Sequence, residues 1–93
     1  MATLTIPSTL SRVDGGVKVE VALDKQSTVS SILQQVQDEG IRQRLFDASG
    51  DPRGFLNVFL NGKNMAHVDG EDLVKAGANS DTEVYVLPIV AGG

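Results

Sequence analysis

The chain has 93 residues, with 12 acids against 8 bases and a net charge of −4, which is one domain with a modest core. It has no cysteine, which excludes a disulfide framework, a thiolate nucleophile and a Cys-ligated metal. The bases are scattered, with Arg42 and Arg44 the nearest pair, so a nucleic-acid partner, which calls for clustered Lys and Arg, is not expected. No apolar run approaches the ~20 residues that span a bilayer, so no membrane association is expected. The opening Met1-Ala2-Thr3-Leu4-Thr5-Ile6-Pro7 has neither a basic region nor a long apolar stretch and does not read as a signal peptide. Absence of cysteine suits a reducing compartment, and the expected location is cytoplasmic.

Thr3 to Ile6 alternates polar and apolar, a half-buried strand with Leu4 and Ile6 inward. Pro7 ends it or sits at its margin. Asp14-Gly15-Gly16 supplies positive φ for a turn, and Val17-Lys18-Val19-Glu20-Val21 alternates again, so the two runs read as an antiparallel hairpin. The period then changes. Val29, Ile32, Leu33 and Val36 lie at i, i+3, i+4 and i+7, which predicts a helix of about three turns. Ser27 or Thr28 would cap it, Gly40 would stop it, and Ser31, Gln34, Gln35 and Gln37 would form its wet face. Ile41 to Phe46 is expected to add a short helical turn. Asp47 to Gly54 is a loop dense in breakers.

Phe55 to Leu60 reads as a strand, with Leu56, Val58 and Leu60 on one face and Asn57 and Phe59 on the other. Asn61-Gly62 is the strongest hairpin signal in the chain, leading into a short strand at Lys63 to Met65. Asp69 to Val74 suggests one helical or 3₁₀ turn, and Gly77 to Asp81 a loop. Thr82 to Leu87 is the last strand, with Val84 and Val86 inward and Tyr85 and Leu87 outward. The order β-β-α-β-β-β implies an α+β roll: a mixed sheet of four to five strands with one main helix on one face. The last strand is expected beside the first, mid-sheet, and the other sheet face uncovered. The domain is read as residues 1–87, and residues 88–93 as a flexible tail.

That tail, Pro88-Ile89-Val90-Ala91-Gly92-Gly93, sheds side-chain bulk and stops at a diglycine. Two residues without Cβ accept almost any φ/ψ. Such an end can thread a narrow channel and present one group, the α-carboxylate of Gly93.

The element order and the final Gly92-Gly93 resemble the ubiquitin-like β-grasp sulfur-carrier proteins. That family includes the molybdopterin synthase small subunit and the carriers of thiazole and cysteine biosynthesis. The tail from Leu87 to Gly93, the stretch Gly40-Ile41-Arg42-Gln43-Arg44-Leu45-Phe46-Asp47, and Gly54 to Gly62 look most similar to the cysteine-biosynthesis type. The resemblance implies a protein cosubstrate and not an enzyme, with no cofactor or metal of its own. An activating enzyme uses ATP to adenylate the Gly93 carboxylate, which is then converted to a thiocarboxylate. A sulfur-accepting synthase, pyridoxal-phosphate-dependent in the cysteine pathway, takes the sulfur. Several cysteine-type relatives carry residues beyond the diglycine that a zinc metalloprotease removes. Val90, Ala91, Gly92 and Gly93 are then the residues that thread partner active sites. The alternatives are sulfur donation to molybdopterin, thiazole or a specialised metabolite, service as a synthase small subunit, and protein modification through an isopeptide bond.

Alternation places Phe59, Tyr85 and Leu87 on the face opposite the helix. Together near the tail root they would form a docking patch for partner enzymes. The lone His67, near an Asp-Gly turn, reads as a surface residue. Asp69, Glu71 and Asp72 lack the spacing of a calcium loop and read as helix-capping residues.

Overall fold

A computed structural model describes residues 1–88. The expected calls on Val90, Ala91, Gly92 and Gly93, and on the tail beyond Pro88, lie outside the described residues, whereas Pro88, read as the first residue of the tail, belongs to the last strand. The strands are β1 (Ala2–Ile6), β2 (Val17–Val21), β3 (Leu56–Leu60), β4 (Lys63–Asn64) and β5 (Glu83–Pro88). They form one mixed sheet in the order β2-β1-β5-β3-β4. The last strand is therefore central, as expected, parallel to β1 and antiparallel to β3.

The helices are α1 (Ser8–Ser11), α2 (Val29–Leu33), α3 (Glu39–Leu45) and α4 (Gly70–Ala78), with a 3₁₀ turn at Met65–His67. Leu4, Ile6, Val21, Val58, Val84 and Val86 from the sheet join Leu10, Ile32, Leu33, Ile41, Leu45 and Leu73 from the helices in one buried cluster. Each such aliphatic side chain contributes about 1.5–3 kcal/mol by leaving water, so the central strand with its two buried valines is a large share of a small core. The residues alternating with these on the strands form the opposite face of the sheet, which carries no helical layer among the described residues.

The helical layer is more divided than the single three-turn helix expected. α2 begins where predicted: Thr28 Oγ1 accepts from the Ser31 N–H at 3.1 Å, and Ser31 Oγ accepts from the Thr28 N–H at 2.7 Å. It ends at Leu33. The next two bonds tighten to i→i−3, Gln35 N–H to the Ile32 carbonyl and Val36 N–H to that of Leu33, the usual way a last turn closes. Arg42 then donates to the Gln34 and Val36 carbonyls at 2.9 and 2.8 Å, and its guanidinium lies 5.4 Å from the centre of the Phe46 ring. Gln35 leaves the helix pattern for a reason of its own. Its side-chain amide pairs with both the N–H and the carbonyl of Ala22, at 2.7 and 2.9 Å, covering the backbone just past β2.

Gly40 is not a helix stop. It is the second residue of α3, whose N-cap is Asp38, accepting from the Ile41 N–H at 3.0 Å. α4 is nine residues long and not a single turn. Asp69 caps it, accepting from the Asp72 N–H at 2.9 Å, as the reading of these acids as capping residues expects. The return bond from the Asp69 N–H, helped by Lys63 3.5 Å away, holds the Asp72 carboxyl below its usual value. The unanticipated α1 follows Pro7, whose carbonyl accepts from the Leu10 and Ser11 N–H groups. Arg44 of α3 donates to the carbonyls of Leu10 and Ser11, which satisfies the open end of α1 and fixes it to the helical layer.

The β3–β4 hairpin turns at Asn61 and Gly62, with φ of 48° and 86°, the positive pair a two-residue turn of this hand requires. Asn61 also locks the start of β5. Its N–H donates to the Glu83 carbonyl at 2.9 Å and its Oδ1 accepts from the Glu83 N–H at 3.0 Å. β5 runs one residue further than expected, with Pro88 opposite Leu56 at the end of the ladder.

Two glycines inside helices separate propensity from packing. A Cβ on Gly77 would lie 2.4 Å from the Leu23 carbonyl oxygen, whereas one on Gly40 would meet only Asp38 Oδ1 at 3.4 Å. Replacing a helical glycine by alanine gains up to about 1 kcal/mol, while forcing atoms into a packed site costs about 1–3 kcal/mol. In urea unfolding, Gly40→Ala should be neutral to about 0.5 kcal/mol stabilising. Gly77→Ala should lose about 1–2 kcal/mol. Equal effects would contradict the close approach of α4 to Leu23.

Candidate functional site

The open face of the sheet is ordered by strand register. Thr5 stands beside Tyr85 and opposite Lys18, Tyr85 stands opposite Phe59, and Phe59 opposite Asn64. One row therefore crosses all five strands as Lys18, Thr5, Tyr85, Phe59, Asn64. On one side of it lies Glu20, Thr3, Glu83; on the other, towards the end of β5, Leu87 faces Asn57. The three residues expected to share a face do so. Phe59 and Tyr85 are direct cross-strand neighbours, and Leu87 is two residues on from Tyr85 along β5.

Their environments differ. Phe59 and Tyr85 are half-buried, whereas Leu87 is 41% exposed. The Tyr85 hydroxyl donates to Glu83 Oε2 at 3.3 Å along the same strand, so its polar tip is held to the acidic side, and Phe59 stands opposite it in the ladder. On the reverse of β5, Val84 and Val86 are fully buried. The alternation that packs β5 into the core thus displays Tyr85 and Leu87, and it does so in the last strand before the tail. An apolar centre flanked by Lys18 on one edge and Glu20 and Glu83 on one side has the composition of a protein-recognition patch.

Sequence reading missed one feature at the same end of the sheet. Because β1 and β5 run parallel, the segment after β1 lies near the end of β5, and so does the segment that enters β3. Arg12, Arg44, Arg53 and Phe55 therefore meet around a groove of about 340 Å³ whose wall includes Pro88. Bases that look scattered in sequence are gathered in space. The parallel placement of β5 beside β1 was the available signal.

His67 is exposed in the 3₁₀ turn. Among the described residues no three His, Cys, Asp or Glu side chains are grouped so as to hold a metal ion, and no helix is long and apolar enough to cross a membrane.

The topology, with a closing strand central and parallel to the first and, among the described residues, helices on one face only, is that of a ubiquitin-like β-grasp domain. Solved structures share it over nearly the whole chain. A chain in the Amycolatopsis orientalis BexX/CysO complex is 31% identical, with all of both chains aligned and a TM-score of 0.62. Mycobacterium tuberculosis CysO, described as an antigen, is 25% identical over 97% of this chain and 100% of its own, at 0.62. SAMP1 from Haloferax volcanii is 25% identical over 99% and 98%, also at 0.62. No protein-family model matches the chain, and no curated protein does. The chain belongs to the family of ubiquitin-like sulfur-carrier proteins. These neighbours are small carrier or modifier proteins rather than catalysts.

Proposed function

We propose that this protein carries sulfur as a thiocarboxylate on Gly93 and delivers it to a biosynthetic acceptor, in the first instance for cysteine formation. The observation that carries the reading is the position of β5. It is the central strand, its inner face is locked in the core, and its outer face leads Tyr85 and Leu87 towards the tail. The likeness to CysO chains at 25% and 31% identity supports the cysteine pathway over molybdopterin or thiazole. A likeness to SAMP1 at 25% favours a second reading, attachment of the same activated carboxyl to lysine as a protein modifier.

The chemistry needs no catalytic group from this chain. A carboxylate is a poor electrophile. In the activating enzyme a Gly93 carboxylate oxygen attacks the α-phosphorus of ATP, the bond to pyrophosphate breaks, and an acyl adenylate results. A sulfur nucleophile then adds to the acyl carbon and AMP leaves with the electron pair, giving –C(=O)S⁻. In the synthase, which is pyridoxal-phosphate-dependent in the cysteine route, this sulfur attacks an electrophilic carbon of the acceptor. Hydrolysis of the acyl–sulfur bond leaves the sulfur there and restores the Gly93 carboxylate. Water must be kept from the adenylate throughout, and Val90, Ala91, Gly92 and Gly93 are slender enough to pass beneath a closed active site. Phe59, Tyr85 and Leu87 dock the folded body while the tail is engaged. Where a chain extends past its diglycine, removal by a zinc metalloprotease precedes activation.

Two outcomes check this reading. Deleting Gly93 should abolish ATP–pyrophosphate exchange by the activating enzyme and leave the circular dichroism spectrum unchanged; a truncated chain that still supports exchange contradicts it. Phe59→Ser removes a cross-strand pair worth about 0.2–1 kcal/mol and the half-burial of its ring, about 1 kcal/mol more, but it leaves the buried cluster intact, so the fold should persist. Loss of an anchor in the docking patch should raise the KM for activation about tenfold, equivalent to about 1.4 kcal/mol. An unchanged KM would remove Phe59 from the docking surface. A ladder of lysine conjugates in place of thiocarboxylate would favour the modifier.

A further inference from the structure

The arginine groove beside Pro88 is the feature of the surface that the docking patch does not use. Three of the four arginines of a chain with net charge −4 line it, and no acidic residue does. Each base is placed by a different segment. Arg12 follows α1 with φ of 61°. Arg44 lies in α3 and donates to the Leu10 and Ser11 carbonyls. Arg53 leads towards β3 and donates to the Gln43 carbonyl at 3.0 Å. Among the described residues, no carboxylate lies within ion-pairing distance of any of them. Beside them Phe55 is 44% exposed and Leu10 forms a buried wall. Guanidinium groups around an exposed aromatic side chain match a segment that offers carboxylates next to an apolar residue.

A groove filled by the residues after Pro88 would hide the Gly93 carboxylate that the proposed function requires. A wall lined by guanidinium groups and by no acid is complementary to acidic groups of another protein.

We propose that this groove is a second docking surface, taking an acidic segment of the enzyme that activates the tail, with carboxylates on Arg12 and Arg53 and an apolar side chain against Phe55. The inference rests on the carrier reading above. The open-face patch and the groove then grip the partner on two sides of the tail root. Arg44, tied to the end of α1, sets the groove's shape and adds its charge.

The test is activation kinetics of the full chain with its activating enzyme. Arg12→Glu/Arg53→Glu should raise KM about tenfold at low salt with kcat unchanged, the mark of lost uniform binding. Wild-type KM should rise with ionic strength and that of the double variant should not. Lys25→Glu, a charge reversal away from the groove, should behave as wild type. A folded double variant, judged by its amide NMR spectrum, with wild-type KM would overturn the proposal. If the wild-type chain is not activated at all, the carrier reading fails, and a titration with acetyl-Asp-Glu-Phe-Asp-Glu-amide judges the groove separately. Amide shifts confined to Leu10, Arg12, Arg53 and Phe55, and lost on adding salt, uphold an acidic-segment site. Absent or dispersed shifts, or self-association at the groove, overturn it.

Discussion

Everything in this fold depends on the last strand lying between the first and the third. β5 pairs in parallel with β1 and antiparallel with β3, so neither half of the sheet is complete until the end of the domain is in place. Val84 and Val86 bury their side chains against the helical layer, while the backbone between them joins two ladders. The strand is consequently the best-anchored segment near the tail. A group that must be delivered into another protein's active site benefits from such a rigid root, because each ordered residue close to the reacting carbon is one fewer to immobilise on binding.

The same strand divides the molecule's functions by face. Alternation sends one set of side chains into the core and the other onto the open face, so stability and display are read from the same six residues. At the end of the ladder the parallel β1 brings α1 and its following turn close to Pro88, and the antiparallel β3 brings Arg53 and Phe55 to the same place. The patch on the sheet and the basic groove at its end are thus two consequences of one topology. Family resemblance implies the diglycine tail as the reactive element, and under the proposed function the body decides which partner can reach it.

Much of this was legible in sequence. Clean alternation in Val17–Val21 and Leu56–Leu60, the Asn61-Gly62 pair and the final strand specify the sheet, because each is a local pattern with one physical reading. The shared face of Phe59, Tyr85 and Leu87 followed from alternation alone. The helices were harder. Val29, Ile32, Leu33 and Val36 keep helical spacing even though the chain leaves the helix after Leu33, because Val36 is buried as loop and Gln35 is drawn to Ala22. Gly40 has the composition of a stop and the place of a start, a distinction made by the Asp38 cap. Gly77 looked like loop because its reason for being glycine is a long-range one, the Leu23 carbonyl. α1, four residues after a proline, is too short to show a period. The gathering of Arg12, Arg44 and Arg53 is tertiary, and no window along the chain contains it.

The proposed function places the chemistry on one carbon, that of the Gly93 carboxyl. Its test is the intact mass of the chain after incubation with its activating enzyme, ATP and a sulfide source, followed by fragmentation. The expected result is a single species heavier by the difference between one sulfur and one oxygen atom, with the added mass confined to the C-terminal fragment. An unchanged mass, or a gain placed anywhere else in the chain, would contradict it.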